Sequence, residues 1–233
     1  MARTRTLGII AAVVILAFAV PWASADTLIG ITAPAGIDDV VWSQLGELSS
    51  ANGEYYLPVD ATSAYYGDVV TSKQQVYLFQ NNSKGYWGGN FYPGEYVIEG
   101  SSPLTLTFNL GLAEVGAQIQ MNGTGNFTAS ISAYDGSTLL GTYSEAGFAS
   151  KADNGSAIFI GLEDATGFDI TSVAFSATGG VGGVAIGTLN LQPDPPGQPD
   201  PFGPSPVSEP SSLLMLGTGL VGVAGALRRR FIP

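Results

Sequence analysis

Leu104-Thr-Leu-Thr-Phe-Asn-Leu110 is the stretch on which the reading of the fold turns. Leu104, Leu106, Phe108 and Leu110 fall on one side, and Thr105, Thr107 and Asn109 on the other. A strand with one buried face alternates with period 2; an amphipathic helix would repeat every 3.6 residues. Val115-Gly-Ala-Gln-Ile-Gln-Met121 repeats the pattern, and Phe127–Tyr134 sets Phe127, Ala129, Ile131 and Ala133 against Thr128, Ser130 and Ser132. Further strands are predicted at Thr138–Tyr143, Ala157–Leu162, Ile170–Ser176 and Val184–Leu191. Turn dipeptides punctuate them: Asn122-Gly123, Asp135-Gly136, Asn154-Gly155, Gly179-Gly180 and Gly182-Gly183. Asp135-Gly136 between two strands is the clearest hairpin. Short strands at this spacing predict an all-β, antiparallel β-sandwich, and residues 26–192 suffice for one core. No internal repeat is visible.

The first half of that body is less regular. Ile37–Leu45, with Val40, Val41 and Trp42, reads as a strand or a short helical turn. Tyrosine gathers between 55 and 96, where eight of the ten in the chain lie. Gly85-Tyr-Trp-Gly-Gly-Asn-Phe-Tyr-Pro-Gly94 holds four glycines and a proline, so it reads as an ordered loop with aromatic contacts.

Outside the body the texture changes. Residues 1–25 read as a secretory signal peptide: Arg3 and Arg5, an apolar centre from Leu7 to Val20, and the small-x-small triplet Ala23-Ser24-Ala25. Residues 193–206 hold seven of the fourteen prolines and read as an extended linker. Residues 207–233 have three parts: Ser208-Glu209-Pro210, an uncharged run over 211–227, then Arg228, Arg229 and Arg230. As a helix that run reaches roughly 25 Å, the short end of a membrane span. The arginines would stay cytoplasmic, placing the body on the far side of the membrane.

Composition excludes several chemistries. The chain lacks cysteine and histidine, which removes disulfides, thiol nucleophiles, the commonest general base and the commonest transition-metal ligand. From residue 26 to 208 three lysines (73, 84 and 151) stand against eighteen acids, a net charge of −15. So acidic a body repels nucleic acid. Each lysine directly follows a serine, and neighbours on a strand point to opposite faces, which argues against Ser–Lys catalysis. A glycoside hydrolase needs only two carboxylates, but no pair stands out; Asp153, Glu163 and Asp164 read as solvated loop acids. Structural calcium is open and unassigned, with Asp38, Asp39, Asp135, Asp153, Asp164 and Asp169 as possible ligands and no calcium-loop motif. No other cofactor is expected. The best binding site is the aromatic loop: Tyr86, Trp87 and Tyr92 to stack on a sugar face, with Asn90 and Glu95 for its hydroxyls. The competing reading has Trp87 and Phe91 plugging one end of the sandwich.

The tail resembles the PEP-CTERM sorting signal of exopolysaccharide-producing bacteria, on Glu209-Pro210, the Gly-interrupted apolar run and the arginine cluster. Ser208 stands where that motif has its first proline. The resemblance implies processing by exosortase, a membrane-embedded peptidase that cuts near the motif and removes the helix. Stretches of the body are also similar to exported PEP-CTERM proteins: Asp39-Val-Val-Trp-Ser-Gln-Leu-Gly46, Trp87–Gly94, Pro103–Phe108, Ala117–Gln120, Ile131–Asp135, Ala157–Gly161 and Val184–Gly187. That likeness implies a jelly-roll-like sandwich akin to carbohydrate-binding modules, without enzymatic activity. In related modules an acid of the last strand helps hold calcium; here Thr188 occupies the place. The expectation is an exported, exosortase-processed cell-surface or matrix protein with a structural or binding role. A carbohydrate-binding module for exopolysaccharide, a carboxylate-dependent glycoside hydrolase and a self-associating matrix protein are the alternatives.

Overall fold

The computed structural model describes residues 27–46, 56–81, 91–150, 155–179 and 183–194. Its organising element is one strand of 18 residues, Leu104–Met121, which joins the two segments predicted separately, Leu104–Leu110 and Val115–Met121. Gly111 between them is a point of close approach: a Cβ there would lie 2.0 Å from the carbonyl oxygen of Phe168. The first half alternates buried and exposed, while Leu112–Ala117 are buried throughout. One face of the first half meets solvent; the second half is covered on both faces, although Glu114, Gln118 and Gln120 face away from the core.

In chain order the strands are β1 (Leu28–Ile31), β2 (Asp38–Val40), β3 (Tyr56–Thr62), β4 (Val69–Gln80), β5 (Tyr96–Gly100), β6 (Leu104–Met121), β7 (Gly125–Asp135), β8 (Thr138–Ala149), β9 (Ile158–Asp164), β10 (Ile170–Thr178) and β11 (Val184–Pro193). Every pairing is antiparallel. The first half of β6 lies between β10 and β4, its second half between β9 and β11. Because β4 also pairs β5, and β5 pairs β11, the hydrogen bonds run in a closed circuit β6–β4–β5–β11. Two wings leave it, β10–β7–β8 and β9–β1. They meet face to face where the Tyr143 ring of β8 lies against Gly30 of β1, and Leu28 of β1 against Gly141 of β8. Between them sit Ile131, Val173 and Phe175 from one wing and Ile160 and Leu162 from the other, in one apolar cluster.

The β7–β8 hairpin falls where Asp135-Gly136 predicts it, with Asp135 opposite Thr138 and Gly136 at φ 55°. Glycine at the first of two loop residues fits a type II′ turn. Ile37–Leu45 is both of the forms expected: β2, then a 3-10 turn over Trp42–Leu45. Trp42 is fully buried and its Nε1–H donates to the Gly187 carbonyl at 2.6 Å. The sequence gives little sign of β1, β3, β4 and β5. In β4 the inward positions between Val70 and Val76 are polar, Ser72 and Gln74, where a two-residue bulge sets Val59 opposite Ser72 but Pro58 opposite Gln75. Pro193, expected to begin the linker, is instead the last residue of β11. It pairs by position with Leu112, at the strand end where proline's missing N–H is tolerated.

Among the described residues no helix is long and apolar enough to cross a membrane. The predicted signal peptide, the rest of the linker and the helix at 211–227 lie outside the described residues.

Candidate functional site

The outer face of the second half of β6 builds the site. Ala117 and Ile119 point into the core, so Gly116, Gln118 and Gln120 face the other way. Gln118 stands opposite Phe159 of β9, and Gly116 opposite both Gly161 and Asn190 of β11. A Cβ on Gly116 would lie 2.5 Å from Cζ of Phe159 and 2.8 Å from its Cε1. The Phe159 ring therefore lies across bare backbone, a position that only glycine leaves open.

Over this floor the segment Phe91–Glu95 forms a wall. Phe91 is buried against Val97, Ala157 and Ala185, whereas Tyr92 is 69% exposed. Asn81, at the end of β4, fixes the segment: its Nδ2 donates to the carbonyls of Phe91 (2.6 Å) and Tyr92 (2.8 Å). Its backbone N–H donates to the Glu95 carbonyl at 2.6 Å, and its carbonyl accepts from Gly94 at 2.8 Å. Glu95 joins the segment to β11: Oε1 accepts from the Thr188 N–H at 2.6 Å and Oε2 from the Tyr92 N–H at 3.1 Å. The result is a pocket of about 520 Å³ lined by Pro34, Tyr92–Glu95, Gln118, Phe159, Thr188 and Asn190.

Its chemistry is polar and aromatic, without a cationic side chain among those lining residues. Asn190 donates its Nδ2 to Asp39 Oδ1, which leaves its amide oxygen directed elsewhere. Gln118 Oε1 is buried without a hydrogen-bond partner. An orphaned buried carbonyl is costly, and a ligand hydroxyl would satisfy it.

Of the residues chosen from sequence, Tyr92 and Glu95 come together in this pocket, while Tyr86, Trp87 and Asn90 lie outside the described residues. Glu95 turns out to hold backbone amides on both oxygens, so it positions the wall. Gln118, Phe159, Thr188, Asn190 and Asn81 are additions. A signal for Phe159 existed: the alternation that sends Ile160 and Leu162 inward sends this large aromatic outward.

The acids named as possible calcium ligands are scattered. Among the described residues no group of three or more acidic side chains could hold a metal ion. Asp38 is buried and accepts from the backbone of Asp39, Tyr65 and Tyr66. Burial pushes its pKa up, but bonds from Ser63 and those three amides outweigh it, leaving the carboxyl below its ordinary value. Asp68 Oδ1 accepts from Asn109 (3.1 Å) and Leu110 (3.0 Å), while its Oδ2 is buried and unpartnered. Burial raises Asp68, the two amides offset this in part, and the charge of Asp38 adds to the rise. Asp164, expected to be solvated, is fully buried, and its Oδ1 accepts from the N–H and hydroxyl of Thr166. Asp135 is at the hairpin, and Asp153 lies outside the described residues.

The decisive comparison concerns the tail. Residues 206–230 match the PEP-CTERM protein-sorting motif. This PEP-CTERM match takes in Ser208, Glu209, Pro210, Arg228, Arg229 and Arg230, and it makes the segment an exosortase-type sorting signal. The chain is accordingly an exported, sorted protein and a substrate for exosortase processing. No curated protein matches the chain. Among solved structures, the body is similar to a DUF4465 family protein from Bacteroides caccae, at 12% identity and TM-score 0.37, over 73% of this chain and 95% of that one. A family 6 carbohydrate-binding module matches at 14% identity and TM-score 0.28, over 45% of this chain and 79% of that one. A family 43 arabinoxylan arabinofuranohydrolase from Bacillus subtilis matches at 11% and 0.32, over 64% of this chain and 29% of the enzyme.

Proposed function

We propose that the exported body is a non-catalytic glycan-binding module, delivered by its PEP-CTERM signal to the cell surface or the extracellular matrix. One observation carries the reading: a pocket of about 520 Å³ sets an exposed Tyr92 beside a Phe159 ring laid on Gly116, with the amides of Gln118 and Asn190 between. A sugar ring offers C–H groups to an aromatic face and hydroxyls to amides, and the pocket supplies both. Glu95 is the one carboxylate among its lining residues, and glycoside hydrolysis needs two. The matrix polysaccharide of the producing cell is the ligand this setting offers. Before processing, the apolar run at 211–227 anchors the chain in the membrane, with the arginines cytoplasmic.

Affinity electrophoresis through gels containing neutral bacterial exopolysaccharide tests the site. Retardation of the wild type, lost in Phe159→Ala and in Asn190→Ala with melting temperature preserved, is the expected result. Equal migration with and without polysaccharide, across a panel that includes the host's own matrix, would refute the binding role. Intact mass of the protein from cell envelope and medium tests the delivery, with termini expected near residue 25 and near residue 210.

A further inference from the structure

We infer that β8 is a docking edge for a second copy of this chain, the two β8 strands pairing antiparallel about Ser144. Four strands of the described structure have only one neighbour, and three of those edges are blunted. β1 has four residues and β2 three; β3 has seven, but carries Pro58 opposite the bulge of β4. Short strands, prolines and bulges are the usual means of stopping a sheet from growing. β8 has 12 residues, pairs only with β7 among the described residues, and contains no proline and no lysine; its one bulge, at Leu140, lies next to the hairpin and leaves Gly141–Ala149 in unbroken register.

The sequence of β8 is also complementary to itself when reversed. Gly141-Thr-Tyr-Ser-Glu-Ala-Gly147, laid antiparallel on its own copy with Ser144 at the two-fold axis, opposes Gly141 to Gly147, Thr142 to Ala146 and Tyr143 to Glu145. The strand's single charge thus faces a tyrosine of the other copy and not another carboxylate. Tyr143 donates its hydroxyl to Glu145 of its own strand at 2.6 Å, so the carboxylate is already hydrogen-bonded when it meets the second copy.

Charge selects this edge too. A body at −15 repels its own copies over most of its surface. The outer face of β7 and β8 is an exception, since Thr128, Ser130, Ser132, Thr142 and Ser144 follow one another without an ionisable group. Their hydroxyls pair across the strands, Ser130 with Ser144 at 2.7 Å and Ser132 with Thr142 at 2.8 Å.

The absence of native cysteine makes the test clean. Directly opposed residues of an antiparallel pair have Cα atoms about 4.5–5.5 Å apart, inside the range a disulfide spans. In the full chain, displayed by cells that export it, Ser144→Cys should form a disulfide-linked dimer under mild oxidation. The rate should exceed that of Thr107→Cys, exposed on an interior strand, by roughly a hundredfold, the advantage docked thiols have over free ones. Thr142→Cys and Ala146→Cys should each stay monomeric alone and cross-link to one another when co-expressed, which tests the register without altering Ser144. Failure of Ser144→Cys and of the mixed pair to cross-link would overturn the inference. So would a Thr142→Cys dimer forming as fast as the Ser144→Cys dimer.

Discussion

Replacing Asn81 by alanine should unfasten the wall of the pocket without touching its lining. Two hydrogen bonds disappear, from Nδ2 to the carbonyls of Phe91 and Tyr92, at 2.6 and 2.8 Å. Each is worth about 1 kcal/mol net. The Phe91 bond is buried, so its carbonyl is left without water and the loss there rises toward the desolvation penalty of about 1–3 kcal/mol. The Tyr92 carbonyl is only partly buried and rehydrates. The sum is about 2–4 kcal/mol, or roughly 5–15 °C in the melting temperature of a domain this size. The two backbone bonds of residue 81 survive, so the wall loosens but stays attached. Thermal unfolding by circular dichroism reads the first quantity. Affinity electrophoresis reads the second, since a wall in position only part of the time weakens apparent affinity by the occupied fraction. A melting temperature within about 1 °C of wild type, together with unchanged retardation, would refute the role given to Asn81.

Gly116→Ala should tilt Phe159 off the sheet, because its Cβ would meet the ring at 2.5 Å; polysaccharide retardation should vanish while stability falls by about 1–3 kcal/mol in denaturant titration. Trp42→Phe removes the donor to the Gly187 carbonyl and leaves a void in a fully buried site, so the same titration should show a loss of about 2–3 kcal/mol. Asp68 has its folded pKa raised, so its carboxyl favours the fold below its ordinary value of 3.8 and that contribution is lost as pH rises through the folded pKa. Glu114 behaves alike from 4.5, its rise caused by burial and the Glu163 charge against the amides of Ala35 and Gly36. Wild-type stability should therefore fall as pH rises from the ordinary carboxyl range through the raised folded values, and Asp68→Asn should flatten part of that slope; an unchanged slope in denaturant midpoints would count against the buried, unpaired carboxyl.

What the sequence disclosed depended on whether one face of a strand meets solvent. Leu104–Asn109 and Phe127–Tyr134 do, and their alternation located β7 and the first half of β6 within a residue or two. Val115–Met121 alternates too, but its inward residues are odd-numbered where those of Leu104–Phe108 are even, so the one strand reads as two with Gly111–Glu114 between them. β4 hid for another reason: between Val70 and Val76 its inward positions are Ser72 and Gln74, so its buried face shows no continuous apolar period. The pocket was legible at Tyr92 and Glu95, which are adjacent in a loop rich in aromatics. Phe159, Thr188 and Asn190 reach it through pairings of β9 and β11 with β6, across separations of 40 residues and more that no local pattern encodes.

The acidity of the body has a structural use that its composition concealed. With three lysines and no histidine, carboxylates of residues 26–208 have few cations to meet, and several of them turn to backbone amides instead. Asp38 takes those of Tyr65 and Tyr66, Asp68 those of Asn109 and Leu110, Glu114 those of Ala35 and Gly36, and Glu95 those of Tyr92 and Thr188. Each carboxylate ties two successive amides, or a loop and a strand, at one point. A carboxylate–amide bond is charge-assisted and roughly twice as strong as a neutral one; at Asp38 such bonds outweigh the cost of burial, while at Asp68 and Glu114 they offset it in part. It also needs no long, rotamer-rich partner to be held in place, unlike a surface ion pair to lysine. For an exported domain without disulfides, such ties do locally what a cross-link does elsewhere: they fix where loops leave the sheet. The pocket follows from this arrangement, because its wall is held at one end by Asn81 and at the other by Glu95, leaving Tyr92 exposed between two fixed points.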